Sequence, residues 1–136
     1  MSRRILFERA QRNLTYELFD AGRDGDIKAA AEALDRSLED GADINGRTKD
    51  GRTLLQEACY HGHAGVARLL IWRGASPHVK DSNGLTTTEY IMGMDCVYDR
   101  ERVTETLVEK YPEYADKLRK TREKETQTDR VQLQGG

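Results

Sequence analysis

Residues 50–81 read DGRTLLQEACYHGHAGVARLLIWRGASPHVKD, which is two short helix-forming runs separated by glycine. Thr53 can cap the first run through its hydroxyl group. Gly62 can adopt the left-handed backbone conformation that ends a helix. The second run carries an apolar stripe at helical spacing, formed by Val66, Leu69 and Leu70. The stretch therefore predicts one helix-turn-helix unit.

The landmarks of this unit recur along the chain at a shift of 33 residues. Four pairs share that shift: Gly41/Gly74, Ala42/Ala75, Gly51/Gly84 and Thr53/Thr86. A fixed period of this length indicates stacked repeats, in which each unit buries its apolar face against a neighbour.

The unit before it is longer. Gly25 and Gly41 lie farther apart than Gly62 and Gly74, by about one helical turn. We therefore expect a lengthened second helix near Ile27–Glu39.

The 33-residue period, the Gly-x-Thr turn, the Gly62-His63 break and the Gly-Ala loop together resemble the ankyrin repeat. The resemblance covers about residues 13–115 and is closest in the middle unit. It implies an all-α ankyrin-repeat solenoid of about three helix-turn-helix units with helical caps and a disordered C-terminal tail. The predicted parts are a capping helix at 1–12, units at about 13–46, 47–79 and 80–116, and a helix end with the disordered tail at 117–136.

Both ends of the array depart from the regular pattern, as capping units should. Near the N-terminus we expect a helix over Ser2–Arg12 with Ile5 and Leu6 facing inward. In the last unit, Asp95-Cys96 replaces the glycine-histidine break. We expect its second helix to present one apolar face, formed by Val103, Leu107 and Tyr111, and a further helix to run over Pro112–Arg122.

The resemblance also implies where a partner protein would bind, namely at the tips of the turns and on the exposed side of the first helices. Tyrosine and arginine are the residue types that most often anchor interfaces. The surface would be mildly basic and would suit an acidic or polar protein surface; the less favoured alternative is that these side chains only solubilise the protein. The matching positions are Arg23, Arg47, Lys49, Asp50, Arg52, Tyr60, His61, Lys80, Ser82, Asn83 and Leu85. Trp72 could form a second contact patch or pack against the lengthened neighbouring helix.

The sequence offers no constellation of residues that favours catalysis, a cofactor or a metal. Cys59, His61 and His63 lie close together, but offsets of two do not share a helical face and no second cluster completes a ligand set. Cys59 is better interpreted as a small core residue. His78 stands where the family usually has asparagine, which favours a hydrogen-bonding role. We therefore expect a non-enzymatic protein.

Composition excludes several further classes. The chain has 22 basic and 24 acidic residues among 136, so nucleic-acid binding is not favoured. No apolar run reaches the roughly 20 residues that cross a bilayer. Two cysteines give no disulfide framework, which predicts a reducing compartment, either cytoplasm or nucleus.

The tail carries a separate signal. Residues 124–129 read KETQTD, which resembles the Lys-x-Thr-Gln-Thr motif through which many proteins bind the dynein light chain. The resemblance implies contacts from Lys124, Thr126, Gln127 and Thr128, made as an added β-strand. Because that light chain is a dimer, binding would pair two copies of this protein.

Two functions remain open from the sequence. The first is an adaptor that binds a partner on its repeats and recruits a second protein through its tail. The second is a masking or inhibitory protein, similar to viral or bacterial effectors, that blocks a host or partner protein. Loss of the tail would impair an adaptor but spare a masking protein.

Overall fold

The computed structural model describes residues 3–116, and over that range the chain is all-α apart from one isolated β-bridge. The helices stack as pairs, with α1 on α2, α3 on α4, and α5 and α6 closing the array. This confirms the solenoid of helix-turn-helix units. The helices are α1 Arg3–Arg23, α2 Ile27–Glu39, α3 Leu54–Tyr60, α4 Ala64–Trp72, α5 Thr87–Met92 and α6 Val97–Lys110.

The helix ends form where the sequence places caps and glycines. Thr53 and Gln56 make a capping box at the start of α3. After α3, Gly62 adopts a φ of +74°, and the N–H of His63 donates to the Ala58 carbonyl at 2.8 Å. The predicted bounds of the lengthened helix, Ile27–Glu39, are confirmed.

The core is thin and runs along the stack. Small residues let neighbouring helices approach closely, and a Cβ on Gly22 would come within 2.3 Å of Val66 Cγ2. Cys59 lies in this core, as predicted. The largest fully buried side chains are Leu14, Leu18, Leu34, Leu54, Leu55, Gln56, Val66, Leu70, Ile71, Ile91, Val103 and Leu107.

The N-terminal segment differs from expectation. Helix α1 is 21 residues long and passes through residue 12 without a break. Its buried residues begin at Ala10, because the shorter α2 pairs only with the later turns of α1. The prediction that Ile5 and Leu6 face inward is wrong, since they are 49% and 48% exposed.

The last unit forms the predicted apolar face. Val103 and Leu107 are fully buried, and the half-buried Tyr111 donates its hydroxyl to the Ala75 carbonyl at 3.1 Å. A short helical turn begins at Tyr114, two residues after the predicted helix start at Pro112. The remainder of that predicted helix, through Arg122, and the predicted disordered tail lie outside the described residues.

Candidate protein-binding surface

Two hairpin-like turns project from the same edge of the stack. In the first finger turn, residues 47–53, Arg47 and Thr53 form an antiparallel bridge and the Thr48 N–H donates to the Arg52 carbonyl at 2.7 Å. In the second finger turn, residues 80–86, a backbone hydrogen bond from the Asp81 N–H to the Leu85 carbonyl, at 2.9 Å, closes the loop. These are the turns at which the sequence placed most of the contact residues.

The two finger turns are bonded to each other. The Ser82 N–H donates to the Gly51 carbonyl at 3.0 Å, and the Arg47 guanidinium donates to the Lys80 carbonyl at 2.8 Å. Glycine is required at position 51, because φ is +78° and a Cβ would lie 2.3 Å from Ser82 Oγ. Arg47 and Ser82, both predicted as contact residues, therefore also fix the spacing of the turns.

The second finger turn is organised by a buried aspartate that the sequence analysis did not single out. Asp81 Oδ1 accepts the N–H groups of Asn83 at 2.9 Å and Leu85 at 2.7 Å. Its Oδ2 accepts the Tyr90 hydroxyl, and this hydrogen bond is the main reason that the pKa of Asp81 lies below its usual range. The run Asp81-Ser82-Asn83-Gly84, in which an aspartate precedes turn-forming residues, is the sequence signal for such a side-chain turn.

A second overlooked residue, Gln56, joins the two turns from beneath. Its Oε1 accepts the Thr53 N–H at 2.8 Å, and its Nε2 donates to the Val79 carbonyl at 2.9 Å and the Leu85 carbonyl at 3.2 Å. The side chain is fully buried. Because every amide hydrogen bond reaches backbone, Gln56 sets the position of both turns relative to α3.

Arg52 occupies a different place from the exposed contact position that the sequence predicted. Its side chain is only 19% exposed and forms an ion pair with Glu57, whose Oε2 lies 3.2 Å from Arg52 Nη1. The guanidinium carbon lies 3.7 Å from the centre of the Tyr60 ring. Arg52 therefore supports Tyr60 from below, which leaves the ring itself 59% exposed.

A groove separates α3 from α5 next to these turns, with a volume of about 530 Å³. Aromatic and apolar side chains form about half of its wall, while Glu89 and Asp95 supply carboxylates. The lining residues are Cys59, Tyr60, Leu85, Glu89, Tyr90, Gly93 and Asp95. Basic side chains lie instead at the tips, where Lys49 and Lys80 are exposed. The mildly basic surface expected from sequence is thus limited to the tips.

The structure brings most of the predicted residues to one surface. Leu85 is 42% exposed beside the groove, and His61 lies at the end of α3, with its Nε2 2.8 Å from Glu57 Oε1. Arg23 lies at the end of α1, where it pairs with Asp20. The predicted residues with exposed side chains are Arg23, Arg47, Lys49, Asp50, Tyr60, His61, Lys80, Ser82, Asn83 and Leu85.

The cysteine and histidines near the α3–α4 turn have ordinary structural surroundings. Burial raises the pKa of the Cys59 thiol to about 12, so the thiol is un-ionised. Over residues 3–116, no three histidine, cysteine, aspartate or glutamate side chains are placed to hold a metal ion. The predicted hydrogen-bonding role of His78 is confirmed, since its Nδ1 lies 2.8 Å from the Tyr114 hydroxyl.

Two further sequence predictions concern membrane-spanning helices and the tail motif. Within the described range, none of the helices combines the length and apolar character that crossing a membrane requires. The tail motif, with Lys124, Thr126, Gln127 and Thr128, lies outside the described residues.

Known proteins share the repeat region. Residues 18–71 match the family described as "Ankyrin repeats (many copies)". This region carries ankyrin repeats. Ankyrin repeats are in general non-enzymatic modules for protein–protein interaction, with binding surfaces along the concave side of the stack.

Ankyrin-repeat relatives occur in plants and animals. An ADP-ribosylation factor GTPase-activating protein of Arabidopsis thaliana, AGD2, is 40% identical over 68 residues, which are 50% of this chain. The ankyrin repeat domain-containing protein SOWAHB of Homo sapiens is 37% identical over 70 residues, 49% of this chain. A Caenorhabditis elegans homologue of ankyrin repeat and LEM domain-containing protein 1 is 36% identical over 64 residues, 47% of this chain. The chain spans 9% of the length of each of these relatives.

Proposed function

We propose that this protein is an adaptor that binds a partner protein across its two finger turns and the groove between α3 and α5. The main support for the proposal is that an exposed aromatic side chain lies beside turns that hydrogen bonds hold in place. Tyr60 is held by Arg52 and stays 59% exposed, and hydrogen bonds lock the finger turns beside it. A rigid aromatic side chain binds with little loss of conformational entropy, which favours an interface.

The charges on this surface suggest the chemistry of the partner. Glu89 and Asp95 line the groove, whereas Lys49 and Lys80 lie at the tips. A complementary partner would place a basic side chain and an apolar neighbour in the groove and acidic side chains against the tips. This refines the acidic or polar partner surface expected from sequence into one with two regions of opposite charge.

Affinity purification from cell extract tests the proposal with matched tyrosine variants. Tyr60→Ala removes the anchor beside the groove, and Tyr16→Ala removes a tyrosine of similar exposure, 64%, on α1. We expect at least one protein to be retained by the wild type and Tyr16→Ala but lost with Tyr60→Ala. Identical recovered proteins from all three baits would contradict the assignment of the site.

The tail supports a second part of the proposed function. We propose that Lys124, Thr126, Gln127 and Thr128 recruit a dynein light chain, on the strength of the KETQTD sequence. Calorimetry of a peptide of residues 117–136 against the light chain should show binding that the Gln127→Ala/Thr128→Ala peptide lacks. If the unmodified peptide shows no heat of binding at high micromolar concentration, this part of the proposal is wrong.

The masking function predicts a different result for the tail. A protein that only blocks its partner needs the finger turns and the groove but has no use for residues 117–136. If a chain ending at Asp116 keeps both its partner and its cellular effect, masking replaces the adaptor function.

A further inference from the structure

The opposite side of the stack carries a trough that the proposed function does not use. Helix α4 has 9 residues and lies between α2, with 13, and α6, with 14. Residues of all three helices line a cavity that runs over the short helix, which we call the trough. The trough has a volume of about 440 Å³. It is lined by Ile27, Ala64, Gly65, Arg68, Leu69, Trp72, Asp99 and Arg102.

The floor of the trough is apolar and follows one face of α4. Gly65, Leu69 and Trp72 are spaced at i, i+4 and i+7, which places them in one row along the helix. Gly65 lets Ile27 pack against the α4 backbone and extend the apolar floor, because a Cβ there would lie 2.5 Å from Ile27 Cδ1. Trp72 is 49% exposed and Ile27 is 39% exposed, so this row presents considerable apolar area to solvent.

The edges of the trough carry more positive than negative charge. Arg68 and Arg102 line it, with Asp99 as the acidic residue. Arg102 is oriented by Tyr98, whose hydroxyl accepts a hydrogen bond from Nη1 at 2.9 Å. Arg68 donates to Thr106 Oγ1 at 2.9 Å. Both guanidinium groups are therefore held near the trough.

This charge argues against two occupants from the chain itself. Residues 117–136 contain six basic and three acidic side chains. The exposed start of α1, residues 3–9, contains three arginines and one glutamate. Both segments carry net positive charge, which does not complement the trough, so the fitting occupant comes from another protein.

We propose that the trough binds an amphipathic helix of a partner protein, with apolar residues at i, i+4 and i+7 and acidic residues beside them. The row from Gly65 to Trp72 is about 10 Å long at 1.5 Å per residue, which matches about two turns of a partner helix. The apolar side chains of that helix pack on Trp72 and Leu69, and its carboxylates face Arg68 and Arg102. Helix-in-groove recognition of this kind is a general mode of peptide binding.

The single tryptophan of the chain makes this binding directly observable. Trp72 is the only tryptophan in the sequence, so a shift in its emission reports occupation of the trough. The probes are two stapled helical peptides of about 15 residues with identical leucine positions, one bearing glutamates and the other lysines at the flanks. We expect the glutamate peptide to shift the emission saturably and to bind at least about tenfold tighter than the lysine peptide.

Variants on both sides of the stack locate the site. Arg102→Glu should weaken binding of the glutamate peptide by about five- to tenfold and strengthen the lysine peptide. Lys49→Glu, an equal charge reversal at the first finger turn, should leave both affinities unchanged. Trp72→Ala, followed by calorimetry, should weaken the glutamate peptide by at least about tenfold, because tryptophan anchors are among the strongest interface residues.

Three results would overturn the proposal. They are no saturable binding of the glutamate peptide up to about 1 mM, equal binding of the two peptides, and loss of binding with Lys49→Glu in place of Arg102→Glu. Far-ultraviolet circular dichroism confirms that each variant is folded. Because the finger turns lie on another surface, a failure here leaves the proposed adaptor site untouched.

Discussion

At the scale of single residues, Gln56 shows how one buried amide organises an exposed surface. It bonds the Thr53 N–H of the first finger turn, the Leu85 carbonyl of the second, and the Val79 carbonyl just before the second. A buried polar group is costly when it loses its partners, because water cannot replace them. The positions of Tyr60 and Leu85 at the groove therefore depend on a residue that no partner can touch.

Gln56→Leu should destabilise the protein by about 2–4 kcal/mol, because the Thr53 N–H and the Val79 carbonyl lose the hydrogen bonds that the buried amide makes to them. Gln11→Leu is the matched control, since Gln11 also bonds backbone, at the Asp43 N–H and carbonyl, but near the surface. There water replaces the amide, and we expect a cost below about 1 kcal/mol. Urea unfolding measures both values, and equal costs would contradict the role assigned to Gln56.

His63 predicts how stability depends on pH. Burial lowers the pKa of His63, and the positive charges of His61 and Arg23 act in the same direction. The folded state therefore favours neutral His63, whereas the unfolded chain binds a proton as the pH falls through about 6.5. The stability that the folded protein gains by keeping His63 neutral is therefore present above that pH and is lost as the pH falls below it.

The measurement is the free energy of unfolding at pH 7.5 and at pH 5.5, a window above the usual range of carboxyl groups. Stability of the wild type should decrease between these two values, and His63→Asn should decrease less. An equal decrease in both proteins would show that other groups cause the pH dependence.

At the scale of helices, close contacts between neighbours distinguish two glycines that look alike in sequence. Gly22 in α1 faces Val66, which is fully buried and stiff, whereas Gly65 in α4 faces the end of the side chain of Ile27, a residue that is 39% exposed. Both lie inside helices, where alanine is intrinsically preferred by about 0.5–1 kcal/mol. The neighbouring side chain therefore decides how much stability a glycine-to-alanine substitution costs at each position.

Gly22→Ala should cost about 1–3 kcal/mol, because its Cβ forces α1 away from α4. Gly65→Ala should change stability by less than about 1 kcal/mol, because Ile27 can turn aside while the helix gains propensity. Adding Val66→Ala to Gly22→Ala should cost less than the sum of the two single changes. Thermal unfolding of the four variants tests this, and strict additivity would argue against the contact.

Helix positions were more predictable than the contacts between helices. The spacing of Gly25 and Gly41 was enough to place α2 within its observed bounds, because glycine ends a helix locally. The single long α1 could also have been inferred, since residues 3–21 contain neither glycine nor proline. The burial of Arg52 could not, because its partner Glu57 becomes a neighbour only after the first finger turn folds back onto α3.

At the scale of the whole molecule, side chains bond across the boundaries between units. Asn45 Oδ1 accepts the Ser76 N–H at 2.7 Å, and Tyr111 bonds the Ala75 carbonyl. Such contacts couple neighbouring units, and strong coupling in a short array favours unfolding in one step.

Ile91→Val tests this coupling with a mild change in the last unit. Ile91 is fully buried in α5, so the loss of one methylene group should cost about 1 kcal/mol. We expect urea midpoints from Trp72 fluorescence and from helical circular dichroism to coincide in the wild type and to shift together in the variant. A shift in the circular dichroism alone would show that the last unit unfolds separately.

Because the two cysteines differ in exposure, alkylation can report local opening of the repeat array. Cys96 is exposed, whereas Cys59 is 2% exposed in the core with a pKa of about 12. An alkylating reagent should therefore modify Cys96 in the folded protein and reach Cys59 only after α3 separates from its neighbours. The mass difference between singly and doubly alkylated chains then counts opening events without any denaturant.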